Sequence, residues 1–297
     1  MIKHLVASAM FIAFSGCQYV TKHEGKQTST DLELSQLREK YDTIYSEVEA
    51  SLDPDTGWPS NADCDGLLWS SLAGALGFPV DISLAEYSPG EMHRRPFKAC
   101  WTESEGDVGS KSTISRDMLV GYMSYLWARK DLAALQRLAD YGEKSDWIMG
   151  QPSHLVSRVL LTGNGIGIVG RAIYELSGGS DDRYYRRTGY LFPSVTQDFE
   201  RHIQTQGILL QDSVDDSYNL TRINSEMLDR LIENAAAFPL DPLFSAALGR
   251  FTGDQAGTLE ILLRDQNECP TYARGEKPEV YCKLNWLQSA AILLGEK

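Results

Sequence analysis

The sequence predicts an all-α protein, and three observations carry that expectation. Apolar residues recur at helical spacing through most of the chain, strand-like alternation is weak everywhere, and the periodic segments are punctuated by helix-start and helix-stop residues. The segment Ser112–Gly150 is the clearest case. Leu119, Tyr122, Met123, Leu126 and Trp127 fall at i, i+3, i+4, i+7 and i+8, on one face of a helix. Ser115 suits the N-cap, and Asp117 follows in the first turn, where a carboxylate meets the positive end of the helix. A second helix starts near Asp131, carries Leu135, Leu138 and Ala139, and stops around Tyr141 and Gly142. So short a break suits a helical hairpin.

The remaining elements follow in order. Leu32, Leu34, Leu37, Tyr41, Ile44, Tyr45 and Val48 form a helical stripe ending near Leu52. Pro54, Gly57 and Pro59 then make Asp53 to Asp63 a loop. The next helix carries Leu67, Leu68, Leu72 and Leu76 and stops at Gly77. Val80 to Lys111 reads as largely irregular, a length of loop that is either functional or a covering lid. After Pro152 and His154 comes an apolar helix with glycines at 163, 165, 167 and 170, which suit a close approach by a neighbouring helix or a ligand. Its GNGIGIVG run has no expected strand before it and no βαβ unit around it, which sets aside a dinucleotide fingerprint. Further helices are expected near Gln197–Leu210, Ile223–Ala237, Asp241–Arg250, Thr258–Asp265 and Leu284–Leu294, about ten in all.

The N-terminal residues have another logic. MIKHLVASAMFIAFSGC places a Lys near the start, then an apolar run too short to span a membrane, then small residues before Cys17. Its end resembles a bacterial lipobox with Phe14 in place of the usual Leu, which implies lipidation of Cys17. Gln18 after the Cys, rather than Asp, implies sorting to the outer membrane. Ordinary cleavage is the alternative. The expected organisation is residues 1–16 as a lipoprotein signal peptide, residues 17–30 as the lipidated Cys and a flexible polar tether, and residues 31–297 as a single helical domain.

Four cysteines then remain, Cys64, Cys100, Cys269 and Cys282, an even number for an oxidising compartment. Three pairings are possible, of which sequence proximity favours Cys64–Cys100 and Cys269–Cys282. No CxxC or Cys/His spacing suggests a metal, and no cofactor motif is present. Asp212, Asp215 and Asp216 offer oxygen ligands but lack the EF-hand spacing, its Gly and its terminal Glu. The formal net charge of −13 argues against binding a phosphate backbone, so nucleic acid is not an expected partner. Contact with a membrane is expected through the lipid anchor only.

An array of helical hairpins with Trp- and Asp-bearing loops at one end resembles the six-hairpin, (α/α)-toroid glycosidases and related polysaccharide-active enzymes. The likeness is carried by Asp53–Trp69, by Ser112–Gly150 with its SRDMLVG run, and by the final helix containing Asn285 and Trp286. The WxRGNGW-type motif of unsaturated glucuronyl hydrolases is absent, since the GNG at 163–165 lacks its tryptophans. The resemblance implies an (α/α) toroid or an incomplete barrel with long loops at one end, acting on a glycan.

Glycoside hydrolysis needs two facing carboxyl groups. Asp117 with either Asp63 or Asp65 is the expected pair, all at helix starts, where the competing role is a cap or a partner for the helix dipole. Arg116 is expected to pair with a carboxylate or bind substrate. Trp58, Trp101 and Trp147 lie in or beside loops and suit stacking on sugars, against the alternative of closing a core edge. His154 suits a proton shuttle or an orienting role, against a helix-capping one. Two functional classes remain: a glycan-active hydrolase or lyase of the envelope, and a non-catalytic envelope lipoprotein binding glycan or protein.

Overall fold

In the computed structural model the described residues are 29–59, 65–96, 113–150, 159–160, 163–184, 198–214, 220–264 and 279–296. They form an all-α architecture: α1 (Ser29–Ser51), α2 (Gly66–Ala75), α3 (Arg116–Arg129), α4 (Leu132–Lys144), α5 (Gly163–Leu176), α6 (Asp198–Val214), α7 (Leu220–Ala237), α8 (Pro242–Thr252), α9 (Ala256–Leu263) and α10 (Glu279–Leu294). None of these described helices is long and apolar enough to cross a membrane.

Local chemistry accounts for several boundaries. The Asp131 carboxylate accepts from the Ala134 amide and starts α4, while Lys130 ends α3 in the left-handed conformation, so two residues separate the helices. The Asp241 carboxylate accepts from the Leu243 amide at the start of α8, where Pro242 costs no helix hydrogen bond. Asp53 accepts from Asp55 and Thr56 and folds the loop after α1. On α3, Leu119, Tyr122, Met123 and Leu126 are buried as their spacing predicts, whereas Trp127 is half-buried with the Lys130 ammonium 3.7 Å from its ring centre. On α1, Leu37, Tyr41, Ile44 and Val48 are buried, but Leu32 in the first turns is 53% exposed.

Two short hairpins depart from the expected pattern. The segment after Val80 contains a 3-10 turn at Ile82–Ala85 and then an antiparallel pair, β1 (Glu86–Ser88) and β2 (Glu91–Met92), rather than irregular chain alone. Beyond α4, β3 (Ile148–Gly150) pairs with β4 (Val159–Leu160), so the apolar run expected to be helical from its start enters α5 only at Gly163. A strand does precede the glycine-rich run, contrary to expectation. It belongs to a two-stranded antiparallel sheet, which is not the βαβ unit a dinucleotide site needs. Within α5, a Cβ at Gly170 would lie 2.7 Å from the Tyr184 backbone, so the close approach there is made by the protein's own loop.

One apolar core runs through the described residues from Leu37 on α1 to Leu293 on α10. A smaller cluster of Ile208, Met227, Leu231 and Ala247 joins α6, α7 and α8. α2 is the inner element, with every residue from Gly66 to Gly74 buried. Its closest partner is α3. A Cβ at Gly121 would fall 2.8 Å from the Leu68 side chain and 3.3 Å from its carbonyl oxygen, and one at Gly74 would fall 2.6 Å from the Tyr125 ring. Since both contacts advance toward the C-terminal ends, α2 and α3 run in the same sense, in contact along their glycines.

A polar layer crosses the core beside α2. Trp69 stacks on Tyr281 at 4.7 Å and faces His202 at 6.1 Å. His202 lies 3.2 Å from the Gln206 amide nitrogen, and Gln206 and Gln288 exchange hydrogen bonds of 2.5 and 2.7 Å that tie α6 to α10. Burial pushes the His202 ring down to about 3.

Two outcomes follow from this packing. Gly121→Val is expected to lower stability by about 1–3 kcal/mol through overpacking against Leu68, read as a reduced urea midpoint in circular dichroism; an unchanged midpoint would refute the close α2–α3 contact. Because the folded state holds His202 neutral far below its ordinary value, the unfolded chain takes up the proton first. The contribution of His202 is therefore full above about pH 6.5 and is lost as pH falls toward 3. Wild type should lose roughly 1–2 kcal/mol more than His202→Leu between pH 7 and pH 5; parallel pH profiles of the two midpoints would contradict it.

Candidate functional site

The starts of α2 and α3 are joined through one residue. The Arg94 carbonyl accepts from the Leu67 amide at 2.7 Å, which satisfies a donor left over in the first turn of α2. The Arg94 amide donates to the Thr113 carbonyl at 2.9 Å, just before α3. Together with the Gly121–Leu68 contact, this sets Asp65 and Asp117 at the same end of two adjacent helices that run in one direction. Helices in contact lie roughly 8–10 Å apart, so the two backbones at these positions are about one interhelix spacing apart.

Neither helix start uses the cap its sequence suggests. Asp65 holds the N-cap position of α2 without a side-chain capping bond, and its carboxylate lies 3.6 Å from the Arg94 guanidinium. Arg94 is 3% exposed, so this cation is held inside the protein next to the half-buried Asp65. Ser115 holds the N-cap position of α3 with extended backbone, but its hydroxyl donates to the Asp117 carboxylate instead of accepting from the helix. Asp117 is half-buried and sits in the first turn, where the helix dipole favours negative charge. Arg116 is exposed beside it.

Trp58 and Trp147 both pack against the protein's own residues. Trp58 is 5% exposed, belongs to the main core, and donates its indole N–H to the Asp81 carbonyl at 2.8 Å. It closes a core edge. Trp147 is half-buried, covers Gly142 so closely that a Cβ there would lie 2.5 Å from the ring, and meets Tyr184 edge-on at 5.0 Å. Its φ of 60° follows one of 52° at Asp146, two left-handed residues in succession that swing the ring back over α4.

Asp63, Trp101, His154, Cys17, Cys64, Cys100 and Cys269 lie outside the described residues. Cys282, near the start of α10, is disulfide-bonded, and its expected pairing with Cys269 lies outside the described residues for the same reason. Asp212 pairs with Arg250 at 2.8 Å, while Asp215 and Asp216 are not described. Among the described residues no group of three or more His, Cys, Asp or Glu side chains could hold a metal ion.

Sequence reasoning passed over Arg94 and the hairpin that leads to it. Glu86 on β1 takes two hydrogen bonds from Arg137 of α4, at 2.8 and 3.0 Å, and one from the Gly90 amide at 2.7 Å. Burial pushes the Glu86 carboxyl up, but the Arg137 and Gly90 hydrogen bonds and the Arg137 charge bring it below its usual value. The signal available beforehand was the HRR run at 93–95 between two expected helices, which has no periodicity to place it.

No protein-family model, curated protein or solved structure matches this chain.

Arg94→Met is expected to cost about 1–3 kcal/mol, because it leaves the Asp65 carboxylate without that counter-charge in a partly buried site. Asp65→Asn should cost less, since a neutral amide can still accept from the guanidinium. Equal urea midpoints for wild type and Arg94→Met would show that the pair contributes nothing to holding the two helix starts.

Proposed function

We propose that this protein is a carbohydrate-active protein of the bacterial envelope, a glycoside hydrolase acting through two carboxylates, Asp117 and Asp65, with Asp63 as the alternate partner. The observation that supports it is the shared level of Asp65 and Asp117 at the starts of two parallel, touching helices. General acid–base work requires side-chain oxygens available to a ligand, and carboxyl groups about 5–10 Å apart bracket a glycosidic bond. On this reading the helices form an (α/α) toroid or an incomplete barrel of helical hairpins with its long loops at the site end. Arg116 and His154 contact substrate. Cys17 carries acyl chains that hold the protein at the outer membrane, each buried CH₂ contributing about 0.8 kcal/mol.

A second reading has its own support. Both carboxylates have partners, Asp117 the Ser115 hydroxyl and Asp65 the Arg94 guanidinium, and a pair so engaged suits binding as well as turnover. The protein is then a non-catalytic glycan- or protein-binding lipoprotein on the same scaffold.

The two readings separate in one experiment. Wild type, Asp117→Asn and Asp65→Asn are incubated with a panel of bacterial and plant polysaccharides and the release of reducing ends is followed. The hydrolase reading expects turnover by wild type and a loss of about 10²-fold or more in either variant. Turnover that survives both substitutions removes these carboxylates from catalysis, and an inactive wild type leaves the binding reading in place.

A further inference from the structure

We propose that the β1–β2 hairpin is a saccharide-stacking subsite in which a pyranose ring lies on the exposed face of Tyr87. Tyr87 is 77% exposed, more than any other large apolar or aromatic side chain among the described residues. It is nevertheless not a loose surface residue. Its ring stacks on the His93 imidazole with centres 4.6 Å apart and planes 11° from parallel. His93 is in turn set by Glu91, whose Oε1 lies 3.5 Å from Nε2 while its Oε2 accepts from the Ser88 hydroxyl at 2.6 Å.

The hairpin beneath is fastened to the helical body. The paired hydrogen bonds from Arg137 hold Glu86, and the His93 amide donates to the Ala85 carbonyl at 2.8 Å. Gly90, at φ 80°, lets the turn press against α4 so closely that a Cβ would lie 2.1 Å from the Arg137 carbonyl oxygen. An aromatic face held in place before binding loses little freedom when a ligand arrives.

The chemistry selects the ligand class. A sugar ring offers a face of C–H groups to an aromatic ring and a rim of hydroxyls to its surroundings. Here the His93 imidazole and the Glu91 carboxylate lie behind the ring and hold it, so the ligand meets the open aromatic face of Tyr87 with its C–H groups. Adjacent carboxylates and a net charge of −13 disfavour a nucleic-acid base on the same ring. A single aromatic ring is too small an apolar surface for a protein partner. Placement supports the choice, because His93 immediately precedes Arg94, the residue that joins the starts of α2 and α3. The platform therefore flanks the end that carries Asp65 and Asp117, and it rests on the carbohydrate reading given above.

The full chain is titrated with cellotetraose, maltotetraose and chitotetraose in separate saturation-transfer NMR experiments, for wild type, Tyr87→Phe and Tyr87→Ala. At least one tetrasaccharide should bind wild type and Tyr87→Phe alike, with transfer strongest to ring C–H protons, and at least tenfold more weakly to Tyr87→Ala. Thermal unfolding of Tyr87→Ala should match wild type, since so exposed a ring adds little to the core. Unchanged affinity in Tyr87→Ala, or no saturable binding of any of the three by wild type, overturns the subsite. The reducing-end assay keeps the two proposals apart. Turnover that depends on Asp117, with unaltered binding by Tyr87→Ala, removes the subsite alone. Tyr87-dependent binding by a wild type that shows no turnover removes the hydrolase alone.

Discussion

The candidate site depends on how closely α2 and α3 approach. Two glycines make that approach possible, Gly121 where it meets the Leu68 backbone and Gly74 where it meets the Tyr125 ring. Each glycine in a helix interior costs about 1 kcal/mol relative to alanine, and the return is contact of one helix directly on the other. Such a contact fixes rotation as well as spacing. Arg94 then fixes the axial register, because its carbonyl and amide are bonded to segments at the two helix starts. A slip of either helix by one residue would break one of those bonds. The level at which Asp65 and Asp117 stand is therefore a consequence of backbone packing, and it persists whatever the two carboxylates do.

The helices themselves were legible because helical periodicity is a local property. The stripes on α1 and α3, the Asp131 cap and the Gly77 stop all act within a turn or two of the residues that signal them. α2 was legible as an apolar run, but its neighbours were not. A helix buried on all sides has no polar face, so periodicity says nothing about which elements surround it. Strands of two or three residues, such as β1, β2 and β4, are too short for an alternation to register. That is why the sequence around Tyr87 reads as irregular chain, and why the later apolar run places the start of α5 before Gly163.

Site residues were legible by type more than by role. Asp65 and Ser115 do stand at N-cap positions, as their place before an apolar run suggests, yet neither side chain caps. For α2 the cause is non-local: the Arg94 carbonyl, far along the chain, satisfies the Leu67 amide and leaves the Asp65 carboxylate to the Arg94 side chain. The tryptophans illustrate the opposite case. A loop position suggested accessible rings, but a large aromatic next to a core edge gains more from burial than from exposure. Trp58 and Trp147 both pack against the protein, and the most exposed aromatic among the described residues is Tyr87, on a hairpin whose existence no local pattern announced.

The surroundings of the two carboxylates are unequal, and hydrolysis by a carboxylate pair needs inequality. One group must hold a proton for the leaving oxygen while the other stays ionised. The guanidinium of Arg94 pairs with the ionised form of Asp65, so on the hydrolase reading Asp65 is the base or nucleophile. The Ser115 hydroxyl beside Asp117 has one proton to donate and lone pairs to accept with. It can therefore hydrogen-bond to that carboxyl in either protonation state by rotating about one bond, whereas Arg94 offers donors only. On the hydrolase reading the acid role therefore falls to Asp117, whose Ser115 neighbour can donate or accept. On the binding reading the same asymmetry has no work to do, so a difference in the severity of the Asp117 and Asp65 substitutions across a pH series bears directly on which reading is correct.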